Sequence, residues 1–182
     1  MMRLKLYRPL AVFDIESTGV NRQTDRIIDL AVLKLHPDES SSEHTWRLNP
    51  GIPIPPGATA IHGIRDADVA DAPTFADKAA EIEACLDGCD FAGFNVLGFD
   101  LPLLQEEFRR VDRVFDFSRA RVIDAQRIFH QKEPRNLSAA VRFYCHRDHE
   151  DAHGAMPDVL ATRDVLAAQL EHYDDLPADV DE

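Results

Sequence analysis

Residues 12–19 read VFDIESTG, an apolar run that carries two acids, Asp14 and Glu16. The hydrophobicity predicts a buried strand over residues 10–17. Side chains alternate between faces along a strand, so Asp14 and Glu16 point the same way at the edge of an apolar sheet. Like charges that close raise each other's pKa, and neither carboxylate leaves water readily. Something has to offset them.

Working outward, RIIDLAVLKL (26–35) predicts a second strand after the turn-rich GVNRQTD, and HTWRLN (44–49) a third. Three strands joined by short turns form an antiparallel meander. NPGIPIPPGATAIHGI predicts an extended loop with a short helical turn around Ala58 to Ile61, and ordered loops of such length tend to be functional. From Thr74 the period turns helical: Thr74 and Asp77 make a capping box, and Phe75, Ile82 and Leu86 share a face. CDFAGFN predicts a fourth strand. DLPLLQEEFRRV predicts a helix striped by Leu101, Leu104, Phe108 and Val111, with Asp100 available as its N-cap. RVIDA predicts a fifth strand ending in Asp124 as a helix cap, Asn136 caps LSAAVRFYC, and a last helix runs from about Met156 to Tyr173. A meander followed by strands alternating with helices predicts an α/β fold. Its mixed five-stranded sheet joins three antiparallel strands to parallel ones, with helices on both faces.

The chain has 182 residues, enough for one domain with a substantial core, and we expect that domain to span 1–173 with an acidic, disordered tail over 174–182. No stretch is long and apolar enough to cross a membrane, and the mildly basic start turns acidic before a signal-peptide core could form. The three cysteines include no CxxC pair, which fits packed thiols in a reducing compartment and a cytoplasmic location. The formal net charge of −13 excludes gripping duplex DNA by bulk electrostatics. A nucleic-acid partner would need a local device to overcome repulsion. The one basic stretch runs from Arg119 to Arg147, through Arg121, Arg127, Lys132, Arg135 and Arg142, and it is either a phosphate track or a solvated face.

Divalent cations supply both what the paired acids need and what an acidic protein needs to meet a polyanion. Magnesium favours carboxylates, water and phosphate oxygens, and clusters of three or four acids holding two ions suit in-line attack on a phosphodiester. Asp100 and Asp158 are the further acids. Asp158 falls in the first turn of the last helix, where a carboxylate also suits the helix dipole. His153 lies five residues before Asp158, and its imidazole titrates near neutral pH, which suits a general base acting on the attacking water.

In order, FDIESTG, NVLGFD and HGAMPD resemble the three exonuclease motifs of the DEDD superfamily, histidine branch, which includes the proofreading epsilon subunits of bacterial replicative polymerases, ribonuclease T and oligoribonuclease. The resemblance covers about residues 10–172. It implies a ribonuclease H-like fold and 3'-5' removal of nucleoside monophosphates. It implies two Mg2+ or Mn2+ ions bound directly by Asp14, Glu16 and Asp158 and mainly through water by Asp100, with His153 as base. It also places the backbone around Thr18 and Gly19 against the terminal nucleotide, with Ile61 and His62 lining its base and sugar. Phe99 either stacks on bases or packs in the core. The segment departs from the family pattern at Phe94, where relatives have histidine, and in one extra residue between Asn95 and Asp100, so the substrate-binding role implied for Asn95 is open. FDIESTG is closer to the proofreading subunits, which favours single-stranded DNA ends. An RNA exonuclease, a short-oligonucleotide phosphodiesterase and a non-catalytic replication or repair accessory are the alternatives, and a polymerase or repair partner is possible.

Overall fold

A computed structural model describes residues 4–149 and 154–177. They form two compact units, 1–127 and 128–182.

The first unit is built on a five-stranded sheet. Its strands are β1 (Leu10–Ser17), β2 (Ile27–Leu35), β3 (Ser41–Arg47), β4 (Asp90–Gly93) and β5 (Val122–Asp124), in the order β3-β2-β1-β4-β5. The first three form the expected antiparallel meander, and β4 and β5 run parallel to β1. Alternation along β1 puts Ala11, Phe13 and Ile15 inside, and Val12, Asp14 and Glu16 on the other face. β2 alternates in register, with Leu30 and Val32 behind Ile15 and Phe13, and Ala31 opposite Asp14.

The buried face packs against α3 (Phe75–Leu86) and α4 (Asp100–Arg110). Thr74 and Asp77 close the predicted capping box on α3, a cap generally worth about 1 kcal/mol. Leu101, Leu104 and Phe108 bury as the spacing predicts, and Leu103 joins them. Phe108 meets Phe75 edge-on at 5.1 Å and stacks on Phe115 at 5.1 Å. Within this apolar cluster, fully buried Glu107 accepts from Arg26 Nε (2.8 Å), Arg26 Nη2 (3.1 Å) and the Ile27 amide (3.0 Å). The bidentate guanidinium is what makes such a buried acid tolerable.

The long loop after β3 is more structured than its composition implied. It holds α1 (Pro56–His62) and a four-residue turn of helix, α2 (Asp66–Val69), which the sequence reading missed. Ile28, Ile54, Ile64 and Val69 form a second small core that pins this loop to the start of β2. Gly63 ends α1 at φ +79°, a left-handed conformation that glycine adopts without strain.

The division between units falls within α5 (Ala125–Lys132). The second unit is a helical hairpin of α6 (Leu137–Cys145) and α7 (Ala155–His172) around Val141, Ala161 and Val165. Asn136 caps α6 as expected, accepting from the Ala139 amide at 2.9 Å. The cysteines are free thiols. No helix among the described residues is long and apolar enough to cross a membrane. Of the expected tail, residues 178–182 lie outside the described residues.

Candidate active site

Asp14 and Glu16 stand two apart on β1 on the face opposite the core, as the alternation predicts. Asp100 joins them from α4, but not as a helix cap. Phe99 occupies the N-cap position without a side-chain cap bond, and Asp100 Oδ1 instead accepts the Ile15 amide at 3.1 Å. The cause lies in the sheet. β4 pairs with β1 only from Leu10 to Val12 and then turns away, so Ile15 has no strand partner on that side. A buried amide left unpaired is expensive, and the Asp100 carboxylate supplies the missing acceptor.

That position has an electrostatic consequence. Asp100 is 3% exposed. Burial first and then the Asp14 charge raise its pKa from 3.8 to about 7, against the lowering effect of its backbone hydrogen bonds. Burial also raises Glu16, followed by Asp14, while His62 opposes the shift and Asp29 adds to it. Asp29 was missed by the sequence reading. It lies directly across from Glu16 in the β1–β2 register and is paired with Arg47 at 3.2 Å. The signal was present, since Asp29 is the one acid in the apolar run of β2.

Hard oxygens at one end of β1 are the donor set that Mg2+ or Mn2+ takes, and a cation would offset both the burial and, second to it, the Asp14 charge that raise Asp100 and Glu16. The residues therefore fit the group. Among the described residues, no three His, Cys, Asp or Glu side chains close around a single point as a metal cage.

The candidate substrate residues divide by how they are held. Thr18 is buried: its amide donates to the Arg26 carbonyl (3.0 Å) and its hydroxyl to Asp25 (2.9 Å), so it shapes the β1–β2 turn. Gly19 packs so closely on Asp25 that an added Cβ would lie 2.6 Å from Oδ2. Ile61 is 86% exposed at the end of α1. His62 Nδ1 accepts the Ile64 amide at 3.0 Å, which leaves the ring proton on Nε2, a buried atom without a partner among the described residues. Phe99 packs partly against the main core. Asn95 adopts φ +63°, a conformation asparagine tolerates, and its carbonyl accepts from Gly98 and Phe99. It organises the β4–α4 loop.

Asp124 holds that loop from below. Its carboxylate accepts from the Asn95 and Leu97 amides (3.0 and 3.2 Å) and caps α5 through Gln126 (3.1 Å). Burial pushes its pKa up, but these amides outweigh it and the acid lies below the usual range.

In the second unit, Asp158 lies in the first turn of α7 as expected. Its Oδ1 is 3.2 Å from Nε2 of His149, a histidine the sequence reading did not single out. His153 lies outside the described residues. Of the basic stretch, Arg147 is engaged by Asp164 at 2.7 Å, and Arg135 lies over the Phe129 ring.

The chain is similar to the 3'-5' exonuclease DinG of Staphylococcus saprophyticus, at 25% identity over 172 residues, 93% of this chain and 19% of that protein. It is 32% identical over 108 residues to a DNA polymerase III subunit epsilon-like protein of Rhodobacter capsulatus, covering 58% of this chain and 15% of that one. The chain thus spans less than a fifth of either relative. Its fold matches Escherichia coli exonuclease I in complex with a dT13 oligonucleotide, at TM-score 0.61 and 20% identity over 90% of this chain and 41% of that one. The model of the exonuclease family (RNase_T) matches residues 11–166, and the chain belongs to that family.

Proposed function

We propose that the chain is a divalent-cation-dependent 3'-5' exonuclease that releases nucleoside 5'-monophosphates from single-stranded 3' ends, with DNA preferred. The observation that carries this reading is the carboxylate group at the end of β1, with Asp100 buried against the Ile15 amide, in a member of the exonuclease family.

Asp14, Glu16 and Asp158 would hold two Mg2+ or Mn2+ ions directly, with Asp100 contributing mainly through water. Bound there, the ions would offset charge that develops on the phosphorus oxygens and favour attack by water. His153 takes the proton from that water. The exposed Ile61 supplies an apolar surface for the terminal base, and His62 beside it at the end of α1 lines the sugar. Gly19 presents backbone at the same end of β1. Thr18 and Asn95 shape the two flanking loops through their own hydrogen bonds, and Phe99 supports Asp100 from the core.

We assign residues 1–173 to one exonuclease domain with 174–182 as its tail, since the family match runs across both compact units. The preference for DNA and an association with a polymerase or repair assembly are supported by what the relatives are called, DinG and epsilon-like protein. We assign a cytoplasmic location, a reading with which the free cysteines agree.

Digestion of matched DNA and RNA oligomers, single- and double-stranded and 5'-labelled, tests this reading. Stepwise shortening from the 3' end of single-stranded DNA, dependent on Mg2+ or Mn2+, is the expected result. Internal cuts, 5' shortening or cation-independent cleavage would overturn it, and faster digestion of RNA would reverse the assigned preference.

A further inference from the structure

The segment between α6 and α7 carries a histidine that none of the motifs required. Residues 146–148 are exposed, but the His149 side chain turns inward and is only 3% exposed. A ring that deeply buried needs both nitrogens accounted for. Nδ1 lies 3.2 Å from the Ser138 hydroxyl in the first turn of α6. Nε2 lies 3.2 Å from Asp158 Oδ1 in the first turn of α7.

The chemistry of these neighbours fixes the tautomer. A carboxylate can only accept, so Nε2 carries the proton facing Asp158, and Nδ1 accepts from the Ser138 hydroxyl. The Nε2–H direction lies off the line to Oδ1, so the contact has ion-pair distance without full hydrogen-bond alignment. A small rotation of either group completes it.

We propose that His149 is a positioning residue for Asp158, relaying a restraint from Ser138 so that the carboxylate is held in one rotamer for cation binding. The inference rests on Asp158 being a cation ligand. His149 touches neither substrate nor cation. It acts on one carboxylate oxygen of a side chain that is 40% exposed and rotates about two bonds. Groups that orient a metal ligand in this way typically contribute 10–100-fold to metal affinity.

The test is a Mn2+ titration of the whole chain, read by electron paramagnetic resonance of the free ion, on wild type and on His149→Leu, His149→Gln and Asp158→Asn. The leucine keeps apolar volume and removes the donor. The glutamine can accept from Ser138 and donate to Asp158 in place of the ring. His149→Leu is expected to weaken Mn2+ binding about 10–100-fold, with His149→Gln recovering most of the loss and metal-free melting temperatures similar for the two. Three results would overturn the inference: wild-type affinity in His149→Leu, equal losses in both variants with lowered melting, or lost turnover with Mn2+ binding intact. If Asp158→Asn also binds like wild type, the ligand assignment falls too. If Asp158→Asn weakens binding and His149→Leu does not, only the positioning role falls.

Discussion

Asp100 Oδ1 accepts the Ile15 amide across 85 residues of sequence, at 3.1 Å. This bond ties the start of α4 to the strand that carries Asp14 and Glu16, and it fixes one of the acids by satisfying a backbone donor that β4 leaves unpaired.

Asp100 therefore links pH to stability. Its pKa rises from 3.8 to about 7 on folding, so between those values the native state holds a proton that the unfolded state has lost. Stability from this group is present below about pH 4 and declines through about pH 7, by at most about 4 kcal/mol. Urea titrations of the cation-free protein should show a decline in wild type across this range and a flatter profile in Asp100→Asn, whose amide oxygen still accepts from Ile15. Parallel profiles for the two proteins would contradict the assignment.

Asp14 is the second largest cause of the Asp100 shift. Asp14→Asn should lower the Asp100 pKa, leave the fold intact and reduce nucleotide release at least about 100-fold, since it removes a proposed cation ligand. Carboxyl NMR titration and an oligonucleotide digest together check this. An unmoved Asp100 titration would show the two acids are not coupled.

Glu107 tests how the scaffold is held. It is fully buried and accepts three hydrogen bonds from Arg26 and Ile27. Removing one partner of such a pair strands the other, so Glu107→Ala should cost roughly 3–5 kcal/mol in urea unfolding. Substituting Arg26 as well should recover part of that loss, and full additivity of the two changes would argue against the pair.

Two glycines give opposite expectations. A Cβ on Gly93 would lie 2.8 Å from the Phe13 carbonyl, a backbone atom that can move only with β1, whereas Gly57 in α1 has open space around it. Gly93→Ala should destabilise by about 1–3 kcal/mol and reduce activity through β1. Gly57→Ala should be neutral or stabilise by up to about 1 kcal/mol, since alanine is the better helix former. Thermal melts of both proteins check the contrast.

What the sequence revealed and what it hid follow from the range of the interactions. Alternation in VFDIESTG located β1 to the residue, and the Thr74 box located the start of α3, because both are local patterns. β3 begins at Ser41, before the expected His44, and its first residues escaped the pattern because they are polar. They pair with Leu33 to Leu35, and only the register reveals it. Asp100 was legible as one of the acids, but its hydrogen bond to an amide far away in sequence was not, so its local role was read as a helix cap. Asp29 was passed over because its significance lies in facing Glu16 across two strands, and His149 because it matches no motif.

We propose that Asp14, Glu16 and Asp158 are ligands of the same cations, and calorimetric titration with Mn2+ tests it most directly. The account predicts about two ions per wild-type chain and a marked loss of affinity in each of Asp14→Asn, Glu16→Gln and Asp158→Asn. Binding that survives the loss of Asp158 while failing without Asp14 would confine the ions to the first unit and contradict it.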